Sequence, residues 1–221
     1  MKKLLILITA SLFTLSACES DNAPNPTVNG NSKVVSVSYP EIILIGPQFI
    51  YIPVGGTYTE QNATLIDDVT GGSSIVGPTM SELDVSTEGM YEIRYEAANG
   101  NGFLASASRY VLVLNWTPPA GLDPNYDISG DYLRAATGVI THVIKMDNGL
   151  YITSHVGGST PVPAYMVTPD ELSIDIPQQN TIGGLAISSN SEVFSSGPPI
   201  TFTYRLAASG FGTGTRTFVR Q

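Results

Sequence analysis

The chain has 221 residues, of which 42% are hydrophobic and only 13% charged, and its net charge is −9. That acidic balance argues against nucleic acid and anionic membrane surfaces as partners, and a single cysteine excludes an intrachain disulfide. The charged share lies well below the usual ~25%, and polarity comes instead from Ser, Thr, Asn and Gly, a composition that suits exported β proteins.

The N-terminus carries the compartment signal. Met1-Lys2-Lys3 is a positive n-region, and Leu4 to Leu15 is an apolar run broken only by Thr9, Ser11 and Thr14. The run falls short of the ~20 residues a membrane span needs, so residues 1–17 read as a secretory signal peptide. Leu15-Ser16-Ala17-Cys18 resembles the lipobox of bacterial lipoproteins. The resemblance implies removal of Met1 to Ala17 and lipidation of Cys18, which makes the membrane a partner through the lipid anchor. Loss of Lys2 and Lys3 takes the net charge from −9 to −11. Residues 18–33 are rich in Asn and Pro and have no apolar periodicity, as expected of a flexible tether. Glu19 and Asp21 resemble the surface-export signal of lipoproteins in glycan-foraging Gram-negative bacteria, which implies an outer-membrane protein displayed at the cell surface.

Gly and Pro recur too often for long helices, and short β-branched and aromatic runs alternate with turn residues. The expected class is all-β, an Ig-like β-sandwich followed by an antiparallel β-meander or barrel-like domain. A first unit spans residues 34–115, with strand candidates at Val34 to Tyr39, Ile42 to Ile45, Phe49 to Pro53, Ser74 to Val76, Met90 to Ala97 and Ser106 to Leu114. In the fifth of these, Tyr91, Ile93, Tyr95 and Ala97 share one face, with Glu92, Arg94 and Glu96 on the other. Asn99-Gly100-Asn101-Gly102 is expected to supply positive-φ positions for a hairpin. The return strand is apolar on both faces near its end, as expected of a strand within a sandwich. The segment from Ile52-Pro53-Val54-Gly55-Gly56 through Tyr58, Glu60 and Asn62 to Asp67-Asp68 resembles the entry motif of bacterial Ig-like surface domains. Gly89-Met90-Tyr91-Glu92-Ile93-Arg94-Tyr95, followed by Gly100-Asn101, resembles a later motif of the same family. Asn62 stands where the family has Gly, and Asn best replaces Gly at positive φ. The family's common role is to space or present another domain, so no catalytic residue is implied.

Residues 116–125, Trp116 to Asn125, form a Pro-rich linker, with Trp116 expected to close the end of the first unit and a ligand platform as its alternative. The C-terminal β domain spans residues 126–221. It opens on Asp127-Ile128-Ser129-Gly130-Asp131-Tyr132, and strand candidates follow at Gly138 to Met146, Leu150 to Val156, Ala164 to Val167, Leu172 to Ile176, Leu185 to Ser188, Ile200 to Leu206 and Thr215 to Val219. Short turns between sequential strands predict an antiparallel meander, closed or nearly closed. The opening segment and the Asp147-Asn148-Gly149 hairpin resemble the C-terminal domain of lipoproteins in Sus-type glycan-uptake loci.

The chain shows no nucleophile motif, phosphate loop or Cys/His metal spacing, so it is expected not to be an enzyme and to need no cofactor. Asp67-Asp68 and Asp170-Glu171 lie in turn-like sequence and read as solvated turn residues. If Asn148-Gly149 forms a two-residue type I′ turn, His142 faces His155 across the hairpin and the two form a candidate metal pair, although zinc usually needs three or four ligands. A three-residue Asp-Asn-Gly loop would shift the register and break the pair. Tyr151 shares this face with Ile144 and Met146 and reads as core. For ligand binding, Phe211, Tyr126, Tyr132 and Tyr165 are the candidate rings, each with core packing as its alternative. Phe211, flanked by Gly210 and Gly212, is the one expected in an exposed loop, where it could also plug the barrel end. The expected function is a non-catalytic surface lipoprotein whose C-terminal domain binds a polysaccharide or oligosaccharide, or a partner in an outer-membrane uptake complex. The alternative is a structural or adhesive envelope protein with no small-molecule ligand.

Overall fold

The computed structural model describes residues 38–115, 123–181 and 184–221. The signal peptide, Cys18, the tether and most of the linker, including Trp116, lie outside these residues. All regular structure among the described residues is β-strand. The N-terminal part holds β1 (Glu41–Leu44), β2 (Phe49–Pro53), β3 (Ala63–Asp67), β4 (Gly72–Val76), β5 (Met80–Ser81), β6 (Gly89–Ala98) and β7 (Leu104–Leu114). A three-stranded sheet, β1-β3-β4, faces a four-stranded sheet, β2-β7-β6-β5, in which β2 runs parallel to β7. This is the sandwich that the motifs imply. Its core brings Ile52, Ala63, Ile93, Tyr95, Val111 and Val113 together.

The alternation along β6 holds. Ile93 and Tyr95 are buried, while Arg94 lies on the other face between Glu92 and Glu96. Asn62 takes the expected positive φ, 62°. The hairpin after β6 is built differently from expectation, because among its four residues only Gly102 has positive φ. The buried Asn99 side chain shapes the turn instead, accepting the N–H groups of Asn101 and Phe103 on Oδ1.

The C-terminal part holds β8 (Gly130–Arg134), β9 (Val139–Asp147), β10 (Leu150–Thr153), β11 (Ala164–Val167), β12 (Gln179–Asn180), β13 (Ala186–Ser195), β14 (Thr201–Ala207) and β15 (Arg216–Arg220). They form one eight-stranded antiparallel sheet in the order β11-β10-β9-β8-β15-β14-β13-β12. Two four-strand meanders are therefore joined where the last strand pairs with the first. Inside, Tyr132, Phe202, Tyr204 and Phe218 pack ring to ring, with centroids 4.7–6.0 Å apart. The expected strand at Leu172 to Ile176 reduces to a single bridge between Asp175 and Val167. That bridge lies at the seam between the sheet's two edges. Next to it the Gln179 side chain accepts the Tyr165 N–H on Oε1 and donates from Nε2 to the Tyr165 carbonyl, both at 2.8 Å. One side-chain amide thus stands in for a strand's peptide and nearly closes the barrel.

The second face of β7 is covered by the barrel. Phe49, Met90, Leu112 and Leu114 form one buried cluster with Leu150 and Val167, and Tyr51, Tyr110 and Tyr165 pack against it. The Met90 N–H donates to the Gln178 carbonyl at 2.7 Å. Gly89 permits that approach, since a Cβ there would sit 3.0 Å from the same oxygen. Ser38–Gln221 accordingly forms one compact unit. Each fully buried side chain of this size contributes roughly 1.5–3 kcal/mol, which makes the contact between the two sheets part of the core.

Candidate functional site

One end of the barrel carries a cleft of about 380 Å³ lined by Arg134, Gly157, Ser159, Thr160, Val162, Ser209, Gly210, Phe211 and Arg216. Three connections build it. The β8–β9 turn closes from the Arg134 carbonyl, which accepts the Thr137 and Gly138 N–H groups. The β10–β11 connection passes through Val156, Gly157 and Gly158, all buried. The fully buried Tyr204 hydroxyl holds it from below, donating to the Val156 carbonyl at 2.7 Å. The β14–β15 connection presents Phe211 between Gly210 and Gly212, both at positive φ.

Two adjacent glycines make this geometry possible. A Cβ on Gly157 would lie 2.4 Å from the Phe211 ring, and one on Gly158 would lie 2.1 Å from Arg134 Cδ. Phe211 and Arg134 therefore lie directly on a side-chain-free backbone. Arg134 Nη1 donates to the Gly157 carbonyl at 2.7 Å. Arg216 donates from Nε to the same carbonyl, from Nη1 to the Gly214 carbonyl, and from Nη2 to the Phe211 carbonyl. Its guanidinium carbon also sits 6.0 Å from the Phe211 ring centre. Burial and the neighbouring Arg134 charge push the Arg216 pKa down. Among the described residues no carboxylate pairs with either arginine.

Of the four candidate rings only Phe211 lies on this cleft. It packs against the barrel core as well, so it plugs the barrel end and lines the opening at once. Tyr132 is wholly buried in the barrel, where its hydroxyl donates to the Ile128 carbonyl at 2.6 Å, and burial pushes its pKa up to about 12. Tyr126 packs on the same core and donates to the Glu171 carbonyl at 3.0 Å. Tyr165 sits between the two sheets, 5.3 Å from the Tyr110 ring and 6.1 Å from Phe49.

The two histidines do not meet. Asp147 does pair with Leu150, but a bulge follows and Tyr151 lies opposite Lys145. Gly149 takes positive φ (72°) and Asn148 does not, so the connection is not a type I′ turn. His142 then stands opposite Ser154, whose N–H donates to the His142 carbonyl. The ring of His142 contacts Asp131 at 2.6 Å on the surface, and that of His155 contacts Ser154 Oγ. The same shift turns Ile144 and Met146 outward and Tyr151 into the core, against the expectation that the three share a face. Among the described residues no group of three or more His, Cys, Asp or Glu is placed to hold a metal ion.

A second, open groove of about 530 Å³ lies at the other end of β15, beside Pro198, Pro199, Ile200, Arg220 and Gln221. It brings together fewer polar side chains than the first. Sequence reasoning reached Phe211 through its glycine neighbours but missed Arg134 and Arg216. The Gly157-Gly158 pair was the one local signal that something packs against the backbone there.

Residues 42–113 match the family described as bacterial surface protein, Ig-like domain. No curated protein matches the chain. Among solved structures, the crystal structure of a lipoprotein from Bacteroides thetaiotaomicron is similar at 20% identity and a TM-score of 0.35, covering 83% of this chain and 100% of that one.

Proposed function

We propose that this chain is a non-catalytic lipoprotein, held at the outer-membrane surface by lipid on Cys18, that binds a glycan through the barrel-end cleft. The observation that carries the reading is the arrangement around Phe211. An aromatic ring lies on one cleft with Ser159, Thr160 and Ser209. Sugars offer C–H faces to such rings and hydroxyls to such side chains. The Ig-like domain, packed against the barrel, would present that cleft as a rigid body rather than on a swinging arm. The test is a glycan array and affinity electrophoresis with the wild type and Phe211→Ala. Retention by at least one glycan, lost in the variant while circular dichroism shows its β-sheet content retained, is the expected result, with some loss of melting temperature from the emptied plug. Retention by none sinks the reading.

A second reading, an adhesive or structural protein of the envelope or a partner within a Sus-type uptake complex, draws on the outer face of β9. Ile140, Ile144 and Met146 point to solvent there at 44%, 56% and 40% exposure, and exposed apolar surface of this kind favours protein contact. Loss of envelope cross-links on Ile144→Asp, with no glycan retained by the wild type, would favour it.

A further inference from the structure

Resting on the glycan reading of the same cleft, we propose that the bound unit carries an anionic group, a carboxylate or a sulfate ester, received by Arg134 and Arg216. The chain has 10 Lys and Arg against 19 Asp and Glu, yet two of the ten converge on one opening. Neither belongs to an ion pair among the described residues, whereas Arg109, the other deeply buried arginine, is paired with Glu60 at 3.0 Å. Arg216 is only 4% exposed. Buried charge is ordinarily paired, because removing an ion from water without a counter-charge costs several kcal/mol.

The loop carbonyls of Gly157, Gly214 and Phe211 satisfy hydrogen-bonding capacity at Arg216 but bring no negative charge. Arg134 remains short even of hydrogen bonds. Its bonds run from Nη1 to the Gly157 and Gly158 carbonyls, and its buried Nε has no partner. A planar guanidinium is the side chain best suited to carboxylate and sulfate oxygens. The hydroxyls of Ser159, Thr160 and Ser209 and the Phe211 ring are then left for the neutral part of the sugar. The overall negative charge does not oppose this at contact range, since charges beyond ~8 Å are screened at physiological salt.

The test uses the full chain in detergent micelles and two matched pairs of polymers: polygalacturonate against its fully methyl-esterified form, and dextran sulfate against dextran. Within a pair the sugar is constant and only the charge differs. The expected result is retention of at least one charged member about tenfold or more above its neutral counterpart, the size of one charge-assisted contact. The pair showing the preference tells carboxylate from sulfate. Arg134→Gln should erase the preference. Thr160→Glu, which places a carboxylate at the exposed rim without touching the core, should erase it as well and guards against a folding defect in the first variant. Equal retention within both pairs, or an array that returns only neutral glycans lost on Phe211→Ala, overturns the anionic assignment and leaves the glycan reading standing. Retention of nothing overturns both.

Discussion

Arg109 is wholly buried in the sandwich, and Glu60 is the charge that makes this tolerable. Its Nη1 reaches Glu60 Oε1 at 3.0 Å and the Tyr95 hydroxyl at 2.7 Å, while Nε and Nη2 donate to the carbonyls of Pro47, Ile45 and Asn62. This accounts physically for Tyr58, Glu60 and Asn62 in the entry motif: Glu60 also accepts the Tyr58 hydroxyl, the Asn62 N–H and the Tyr95 hydroxyl. Burial pushes the Glu60 carboxyl up, but those hydrogen bonds and the Arg109 charge outweigh it and hold the carboxyl below its ordinary range. Its stabilisation is therefore present above the unfolded pKa and lost as pH falls through the folded one. Glu60→Gln should cost about 2–4 kcal/mol at pH 7, read by urea unfolding, because it leaves Arg109 buried without a counter-charge. Asp175 behaves in the opposite sense. Burial, with Glu192 and Glu88 nearby, raises its pKa from 3.8 to about 6. A raised acid favours the fold while protonated, so this contribution is full below the unfolded value and disappears as pH rises through about 6. Asp175→Asn should be more stable than wild type by about 1–3 kcal/mol at pH 7. The gap should close by pH 4 in paired thermal melts, and a gap that persists there would refute the assignment.

At the scale of elements, the barrel's seam is held by the Asp175–Val167 bridge and by one side chain next to it. Gln179 contacts both the N–H and the carbonyl of Tyr165. Replacement by Leu leaves both unpaired, at a cost of about 1–3 kcal/mol. Faster exchange of the Tyr165 amide, with the β8–β15 amides unchanged, would locate the loss at the seam. The β9–β10 hairpin shows how one residue sets a face. Asn-Gly is compatible with a two-residue turn and with a longer loop, and the two differ by one position in register. Asp147 still pairs with Leu150, and the bulge after Leu150 gives the shifted register that separates His142 from His155. The alternation in β6 was legible because it needs no partner to define it. The pairing of β9 with β10 was not, because it depends on the φ of Asn148, which several local structures allow. The short strands β5 and β12 gave no period at all, being two residues each.

At the scale of the whole molecule, the two sheets and the barrel behave as one body. The cluster shared by Phe49, Leu112, Leu114, Leu150 and Val167 predicts a single cooperative transition for the described region. Leu112→Ala should lower the stability of both parts together by about 2–5 kcal/mol, and two resolved calorimetric peaks in the wild type would contradict this. By itself the sequence determined the β class, most strand positions and the Ig-like entry motif. These follow from side-chain period, turn residues and local φ preferences, all properties of neighbours in the chain. It also marked Phe211, since glycines on both sides of a ring are a local signature. Only the tertiary structure decided that the apolar second face of β7 serves the barrel, that Tyr132 and Tyr165 are packing residues, and that Arg134 and Arg216 share a cleft. Each of those facts depends on residues many positions away, and a charge without a counter-ion can be recognised only once its surroundings in space are known.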